Sequence, residues 1–218
     1  VYGVYSYKWA GLDPITGDPR GYVDGLISKD YNAILKGNAA DLEYNGPARP
    51  TIFGGLSNSF TLQKFTLAFN LSYKFGYYIK KNSVDYYGMY NMGINSHMSS
   101  DYQNRWKKSG DETITNIPSQ GRFGEDSSRD TFYNNSSATV ARGDHIRLQD
   151  VHLSYDFNMI NWKGIPIKQL QLYFYANNLG VIWKANDFGL DPDLVPLRGN
   201  SFSNLIAKSF AFGFKASF

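Results

Sequence analysis

The segment LIAKSFAFGFKASF (Leu205–Phe218) decides the fold of this chain. From Phe210 onward, apolar side chains take every second position, and small or polar side chains take the positions between them. Successive side chains of a β-strand point to opposite faces, so four aromatic residues share one surface: Phe210, Phe212, Phe214 and Phe218. This pattern, kept up to a terminal phenylalanine, is typical of the closing strand of a transmembrane β-barrel, which pairs with the first strand.

The longest alternating segment, FTLAFNLSYKFGYYI (Phe65–Ile79), supports the same interpretation. Its alternation lasts fifteen residues, whereas strands of soluble domains typically have about five or six. About 9–11 tilted residues are enough to cross a bilayer. The even positions carry Asn70, Ser72, Lys74 and Tyr78, which we expect to face the lumen of a barrel.

Alternation elsewhere in the chain predicts further strands of the same kind. The complete set is six antiparallel strands, at residues 2–12, 51–63, 65–79, 143–157, 168–179 and 205–218. Only Gln63 and Lys64 separate the second strand from the third, which predicts a tight hairpin. In the fourth strand the apolar phase slips at Gln149-Asp150, which predicts a β-bulge. Tyr173 and Tyr175 lie on the polar side of the fifth strand, so we expect them to face the lumen as well.

The connections between these strands alternate between long and short. The long ones span about 13–50, 80–142 and 180–204, and the short ones are 63–64 and about 158–167. Bacterial membrane barrels have long extracellular loops and short periplasmic turns, so the alternation favours an all-β, antiparallel transmembrane barrel. Six strands are fewer than the roughly eight that close the smallest barrels, so we expect a larger parent barrel. The stretch from Ser83 to Lys107 also predicts a short helix inside the second long loop.

Composition excludes several classes of function. The 22 basic and 19 acidic residues give a formal charge of +3 without any basic run, which argues against nucleic-acid binding. The chain has no cysteine, so disulfides, thiolate metal sites and cysteine nucleophiles are excluded. The mean hydropathy of −0.41 is compatible with a barrel, because half of each barrel strand is polar. Val1 begins inside a predicted strand without a visible signal peptide, so we expect a piece of a longer chain.

Several segments together resemble the C-terminal part of SusC/RagA-family TonB-dependent outer-membrane transporters. They follow in the order expected for that family and span nearly the whole chain. The segments are SYKWAGLDPITGDPRGY (Ser6–Tyr22), PTIFGGLSNSFTLQKFTLAFNLSYKFGYYIKK (Pro50–Lys81), RGDHIRLQDVHLSYDF (Arg142–Phe157), LQLYFYANNLGVIW (Leu170–Trp183), FGLDPDL (Phe188–Leu194) and KSFAFGFKASF (Lys208–Phe218).

The resemblance implies a fold, partners and a cargo. In that family a barrel of 22 strands surrounds a plug domain, and this chain would supply the last six strands, with the plug and the TonB box outside it. The implied partners are the rest of the same transporter, TonB, outer-membrane lipid and a SusD-like surface lipoprotein that covers the barrel from outside. The implied cargo is an oligopeptide or an oligosaccharide, imported as a nutrient across the outer membrane of a Gram-negative bacterium. The stretch GLDPITGDPRGYVDG (Gly11–Gly25) resembles the RagA-like branch more closely, and that branch is associated with peptides.

Acidic pairs and histidines are the candidates for chemistry. Asp13 with Asp18, and Asp191 with Asp193, are carboxylates in proline-containing loops. The favoured interpretation is a turn in which aspartate caps backbone N–H groups, ahead of a calcium site and of a catalytic pair. The three histidines, His97, His145 and His152, lack metal-ligand spacing. We therefore expect no cofactor, no metal and no catalytic residue.

The aromatic residues of this sequence are compatible with two roles. Tyrosine and tryptophan side chains can form a sugar-binding surface or a girdle at the membrane interface. We expect a girdle at Trp9, Tyr77 and Trp183, which lie near the predicted outer ends of strands. Two rival functions remain. One is a soluble or surface β-sandwich that binds carbohydrate or acts as an adhesin. The other is an outer-membrane hydrolase that uses His145 near the outer rim.

Overall fold

A computed structural model describes residues 2–91, 99–124, 127–158, 167–195 and 207–217, and these are mostly β. The strands are β1 Gly3–Ser6, β2 Gly21–Val23, β3 Leu26–Ser28, β4 Glu43–Pro47, β5 Ile52–Leu62, β6 Phe65–Phe75, β7 Tyr78–Lys80, β8 Val140–Arg142, β9 His145–Asn158, β10 Gln169–Lys184 and β11 Ser209–Ser217. The helices are α1 Tyr31–Lys36, α2 Tyr86–Asn91 and α3 Ser128–Asn134. Helix α2 and the 3-10 turn Ser100–Asn104 confirm the helical stretch predicted between Ser83 and Lys107.

The chain divides into two compact units. The sheet unit comprises Pro50–Tyr77, Gly143–Pro196 and Ser201–Phe218. The mixed unit comprises Val1–Arg49, Tyr78–Arg142 and Leu197–Asn200, and contains the short strands and all three helices. None of the helices within the described ranges is both long and apolar enough to cross a membrane.

The sheet unit is built on one antiparallel sheet with the order β11-β10-β9-β6-β5. Leu62 pairs with Phe65 across the two-residue connection, and Gln63 has a positive φ of 55°, which confirms the predicted tight hairpin. The sheet is open, since β5 and β11 each have one edge that pairs with no other described strand. The predicted short turn at 158–167 and the end of the long loop at 180–204 fall largely on residues outside the described ones.

The predicted β-bulge is confirmed at Gln149. Asn70 of β6 pairs with Asp150 of β9, and the next residue, Leu71, pairs with Leu148. Gln149 therefore has no partner on β6, and the side chains before and after it alternate in opposite phase. Odd residues such as Val151 face the apolar side of the sheet, whereas the odd residue Arg147 faces the polar side.

The two faces of the sheet differ in chemistry and in exposure. One face carries aliphatic and aromatic side chains from all five strands, and the other carries hydroxyl, amide and charged groups. Large side chains on the apolar face remain more than a third exposed: Leu56, Phe60, Leu62, Phe65, Leu67, Leu153, Phe157, Phe174, Phe210, Phe212 and Phe214. A water-soluble sheet normally buries such a face against a second layer.

Two strand predictions need correction. The segment 2–12 does not join the large sheet, because only Gly3–Ser6 is a strand and it pairs with β4 in a separate two-stranded sheet. Tyr7 and Trp9 of this segment pack on a globular core, in which Trp9 stacks on Phe132 and contacts Tyr133 at a tilt. The strand predicted at 65–79 stops at Phe75, because Gly76 turns the backbone with a φ of +72° and the chain continues as β7.

The mixed unit has a conventional core. Phe132 and Tyr133 of α3 are fully buried, and Val84, Tyr86 and Ile117 also lie inside. The guanidinium of Arg129, also buried, donates to the Asp18 carboxylate and to the Ser119 carbonyl and hydroxyl oxygens. This core therefore combines aromatic packing with hydrogen bonds from a buried guanidinium group.

Candidate functional site

The polar face of the sheet contains the predicted lumen residues of β6. Asn70 donates from Nδ2 to both carboxylate oxygens of Asp150, at 2.8 and 3.0 Å. Ser72 accepts a hydrogen bond of 2.7 Å from Nε2 of Gln149, the bulged residue. Asn70 and Ser72 therefore lie on one surface, and each contacts a polar side chain of β9.

Tyr173 and Tyr175 of β10 extend this face. Their rings lie 6.2 and 6.3 Å from the imidazole of His152, which pairs with Tyr175 across the β9–β10 ladder. The ring of Tyr173 also covers Gly213 of β11, where a Cβ atom would come within 2.5 Å of the tyrosine hydroxyl. This glycine is needed for the tyrosine to lie across the neighbouring strand, and the three rings form an aromatic patch on an otherwise polar face.

Lys74, Arg147 and two aspartates form a charged cluster where β6 ends and β9 begins. Nζ of Lys74 lies 2.7 Å from Oδ1 of Asp193. Nη2 of Arg147 lies 2.6 Å from each carboxylate oxygen of Asp191 and 3.2 Å from Oδ2 of Asp193. Both cations project from sheet strands and both carboxylates come from the segment after β10, so the ion pairs hold that segment on the sheet.

The segment from Asn186 to Leu194 has the predicted turn geometry. Asp191 accepts a hydrogen bond from the backbone N–H of Asp193, and Pro192 opens a single 3-10 turn, Pro192–Leu194. The prediction of an aspartate-capped turn is confirmed, but the ion pairs to Lys74 and Arg147 were missed. Burial alone would raise the pKa of the Asp193 carboxyl, but the adjacent His145 ring and Lys74 ammonium outweigh it and hold that pKa well below its usual range.

His145 lies beneath this cluster and is almost completely buried, with 1% of its surface exposed. Its Nδ1 is 2.9 Å from the carbonyl oxygen of Gly143 and 3.2 Å from the hydroxyl of Tyr77. Its Nε2 is 3.3 Å from Oδ2 of Asp193. Tyr77, predicted for an interface girdle, is therefore a buried partner of His145, and the girdle prediction is wrong for it and for Trp9 because both are packed inside their units.

Tyr78 does not continue the polar face, which corrects the prediction for this residue. It lies in β7 of the mixed unit, where it pairs with Arg142 and packs its ring against Gly46. The reason is the turn at Gly76, which ends the period of two that the sequence suggests. Phe210, Phe212 and Phe214 lie together on the apolar face of β11, and Phe218 lies outside the described residues.

Asp13 and Asp18 form a compact turn in the mixed unit. Oδ1 of Asp13 accepts hydrogen bonds from the backbone N–H groups of Ile15 and Thr16, and Lys29 lies 3.2 Å from its other oxygen. Partial burial opposes ionisation, but these contacts prevail and lower the pKa of Asp13 to about 2. Within the described residues, no three acidic or histidine side chains are placed to hold a metal ion. The groups assembled in both units are suited to hydrogen bonding and ion pairing.

Comparison with known proteins identifies structural neighbours. No family model matches the chain, and no curated protein matches it. A solved RagAB peptide transporter matches with a TM-score of 0.65 and 21% identity, over 98% of this chain and 22% of the other. The RagAB peptide importer in its closed-closed state matches with a TM-score of 0.62 and 22% identity, over 98% of this chain and 23% of the other. The same importer in its open-open state matches with a TM-score of 0.60 and 21% identity, over 98% of this chain and 22% of the other. The chain therefore shares the fold of one part of these transporter chains and spans about a fifth of their length.

Proposed function

We propose that this chain forms part of the barrel wall of a SusC/RagA-like, TonB-dependent outer-membrane importer, and that the imported nutrient is a peptide. The observation that carries the proposal is the exposed apolar face of the five-stranded sheet. Its large side chains come from every strand of the sheet, and Phe212 and Leu62 are each 76% exposed. A face of this kind is stable against lipid, whereas in water it would drive aggregation.

The order of side chains along the apolar face fits a bilayer. Phe65, Tyr155 and Phe157 cluster at the hairpin end, with ring centroids 4.5 and 4.6 Å apart. At the opposite end Phe75 contacts both Tyr73 and Trp183. Ten steps of about 3.4 Å, from Phe65 to Phe75, cover roughly 34 Å along the strand, or about 26 Å at a tilt of about 40°. That height is close to the ~25 Å apolar band of outer-membrane barrels.

The open edges of the sheet support a larger assembly. In lipid every backbone N–H and C=O must find a partner. A sheet whose β5 and β11 edges pair with no other strand of the described residues is therefore unsuited to a bilayer by itself. We propose that further strands of the same transporter close the barrel. The neighbouring RagAB chains, roughly four to five times as long as this one, are consistent with that proposal.

The opposite face would then line the lumen. We assign this role to Asn70, Ser72 and Lys74 of β6 and to Tyr173 and Tyr175 of β10, because they lie on the face opposite the apolar one. Their amide, hydroxyl and charged groups suit contact with a plug domain or with a polar cargo. Peptide is favoured over glycan because the neighbouring structures are a peptide transporter and a peptide importer. TonB and a SusD-like surface lipoprotein complete the proposed machinery.

The alternative of a β-sandwich carbohydrate-binding module or adhesin requires a second sheet over the apolar face. The exposure of Phe210, Phe212 and Phe214 disfavours that arrangement. An outer-membrane hydrolase is disfavoured because both ring nitrogens of His145 already contact structural partners, Gly143 and Asp193.

The decisive experiment is to isolate the polypeptide that carries this sequence from detergent-solubilised outer membranes. We expect a denatured mass of roughly 100 kDa, enough for a complete barrel, together with a co-purifying lipoprotein. Cells should take up a labelled oligopeptide, and lose that uptake when TonB is absent, whereas a labelled oligosaccharide of similar size serves as the control cargo. A 24.6 kDa species alone in the soluble fraction would overturn the proposal.

A further inference from the structure

The contacts of His145 differ in strength between its two protonation states. Its Nδ1 faces the carbonyl oxygen of Gly143, which can only accept a hydrogen bond. Its Nε2 faces a carboxylate oxygen of Asp193, also only an acceptor, at 3.3 Å and without the alignment of a full hydrogen bond. A neutral imidazole carries one proton; with that proton on Nε2 facing Asp193, the Nδ1 lone pair can accept from the Tyr77 hydroxyl at 3.2 Å. The doubly protonated ring donates from both nitrogens and adds a positive charge, which strengthens its attraction to the Asp193 carboxylate.

Other charged and titratable groups surround this ring. Lys74 belongs to β6, and Tyr77 follows that strand. Asp144 directly precedes His145, and Arg147 lies two residues after it on β9. The 186–194 segment contributes Asp191 and Asp193. Lys184, the ladder partner of His145 on β10, turns its ammonium group to the carbonyl oxygen of Leu190. Asp193 is the only one of these that contacts Lys74, Arg147 and His145 together.

We propose that His145 is a proton-operated latch for the segment Asn186–Leu194. When the ring carries two protons, it attracts Asp193 and the segment stays docked on the end of the sheet. When the ring loses a proton to solvent, it loses the positive charge that attracts the Asp193 carboxylate, and the segment shifts towards an undocked state. Lys74 and Arg147 still attract the segment, so the latch changes the proportion of docked molecules and leaves the sheet intact.

Burial makes this site sensitive to a single proton. The side chain of His145 is 1% exposed and that of Arg147 is 13% exposed, so water screens their interactions less than it screens surface pairs. Histidine is also the side chain whose ordinary charge change falls near neutral pH. The latch depends only on contacts within the sheet unit, so a test of the latch gives the same answer whether or not the protein is a transporter.

The test uses the intact protein in detergent, with Leu190→Cys as the labelling position for a nitroxide. This chain has no cysteine of its own, and Leu190 is 40% exposed, so a label there reports on the segment with little disturbance. The parent protein without the new cysteine, labelled in parallel, gives the background. We expect the mobile fraction of the spectrum to rise several-fold between pH 6 and pH 9, in a transition that fits one proton.

Four variants in the Leu190→Cys background make the test specific. His145→Gln should abolish the pH-dependent transition, and His145→Lys, which keeps a positive charge, should remain docked across the range. Asp193→Asn should give a mobile segment at every pH. His152→Gln, which changes another histidine of the same strand, should retain the transition. The proposal is overturned if the label shows no pH dependence, or if the transition is unchanged in both His145 variants.

Discussion

The sheet unit and the mixed unit differ in where they place their large aromatic side chains. In the mixed unit Phe132 and Tyr133 are fully buried, as in any water-soluble core. In the sheet unit the residues with the least exposure include His145, Asp144 and Ser154, whereas the phenylalanines of β11 are exposed. The two units therefore differ in where their phenylalanines lie, inside the mixed unit at α3 and on the surface of the sheet at β11.

The two units also differ in how sequence pattern relates to structure. Strand periodicity runs through the sheet unit because each strand has two unlike faces over nine or more residues. The mixed unit has strands of three to five residues and helices of six or seven, stabilised by side-chain hydrogen bonds such as those of Arg129. Stability in that unit should therefore depend on a few buried residues, and stability of the sheet should depend on which face a residue occupies.

The largest effect is expected from Phe132→Ala in the mixed unit. Removing a fully buried phenylalanine costs about 3–5 kcal/mol through lost transfer energy and a residual cavity. Hydrogen exchange should increase throughout the mixed unit and stay unchanged in β6 and β9. Phe123→Ala, at a position that is 80% exposed, is the matched control and should leave both units unaffected. Equal exchange increases in the two units would show that they unfold together.

A smaller effect is expected when the same charge is placed on opposite faces of β6. Phe69→Lys would put an ammonium group on the proposed lipid face near the middle of the strand, at a cost of about 2–4 kcal/mol. Asn70→Lys would place it on the polar face beside Asp150, which can pair with it. Heat or urea denaturation of the protein in lipid vesicles measures the difference. Similar stabilities of these two adjacent variants would contradict a lipid-facing role, and Phe69→Leu controls for loss of the ring.

Arg147→Lys should have an effect confined to the 186–194 segment. Lysine keeps the charge, but its single ammonium group replaces two guanidinium donors, of which Nη2 contacts Asp191 and Nε contacts Asp193. We therefore expect a loss of about 1–2 kcal/mol in docking of that segment. Faster hydrogen exchange across residues 186–194, with normal exchange in β5, is the expected result. Lys215→Gln, a charge change on β11, is the control. Unaltered exchange in the segment would mean that the Asp193 contacts alone hold it.

The smallest effect is expected when the pH is lowered, and it is confined to the turn that Asp13 caps. Its pKa is lowered to about 2 in the folded chain, below the usual carboxyl value of about 3.9. The ionised carboxyl therefore stabilises the folded turn at any pH above about 3.9, and this stabilisation is lost as the pH falls towards 2. Exchange of the Ile15 and Thr16 amides, corrected for intrinsic rates, should increase over that interval. In Asp13→Asn the side-chain oxygen still accepts both hydrogen bonds but cannot titrate, so the acid-dependent increase should disappear.

Sequence alone predicted the sheet better than the site. Periodicity identified the Gln63-Lys64 hairpin and the Gln149 bulge because both are local features of strand phase. It failed at Trp9 and Tyr78, since alternation over a few residues does not distinguish a membrane strand from a segment packed in a core. Arg147 was missed because its partners, Asp191 and Asp193, lie 44 and 46 residues away. The GLDPDL motif predicted the turn, but it held no information about which basic side chains form ion pairs with its aspartates.

Gln149 has a consequence for how changes of chain length would act on this protein. It is the extra residue that places Arg147 and His145 on the same side as Asp150, although their numbers differ in parity. Deleting Gln149 would remove the bulge against β6 and turn Arg147 and His145 towards the apolar face of the sheet. A one-residue deletion there would thus be far more harmful than most substitutions, and any transplant of this half of β9 into another sheet must carry the bulge with it.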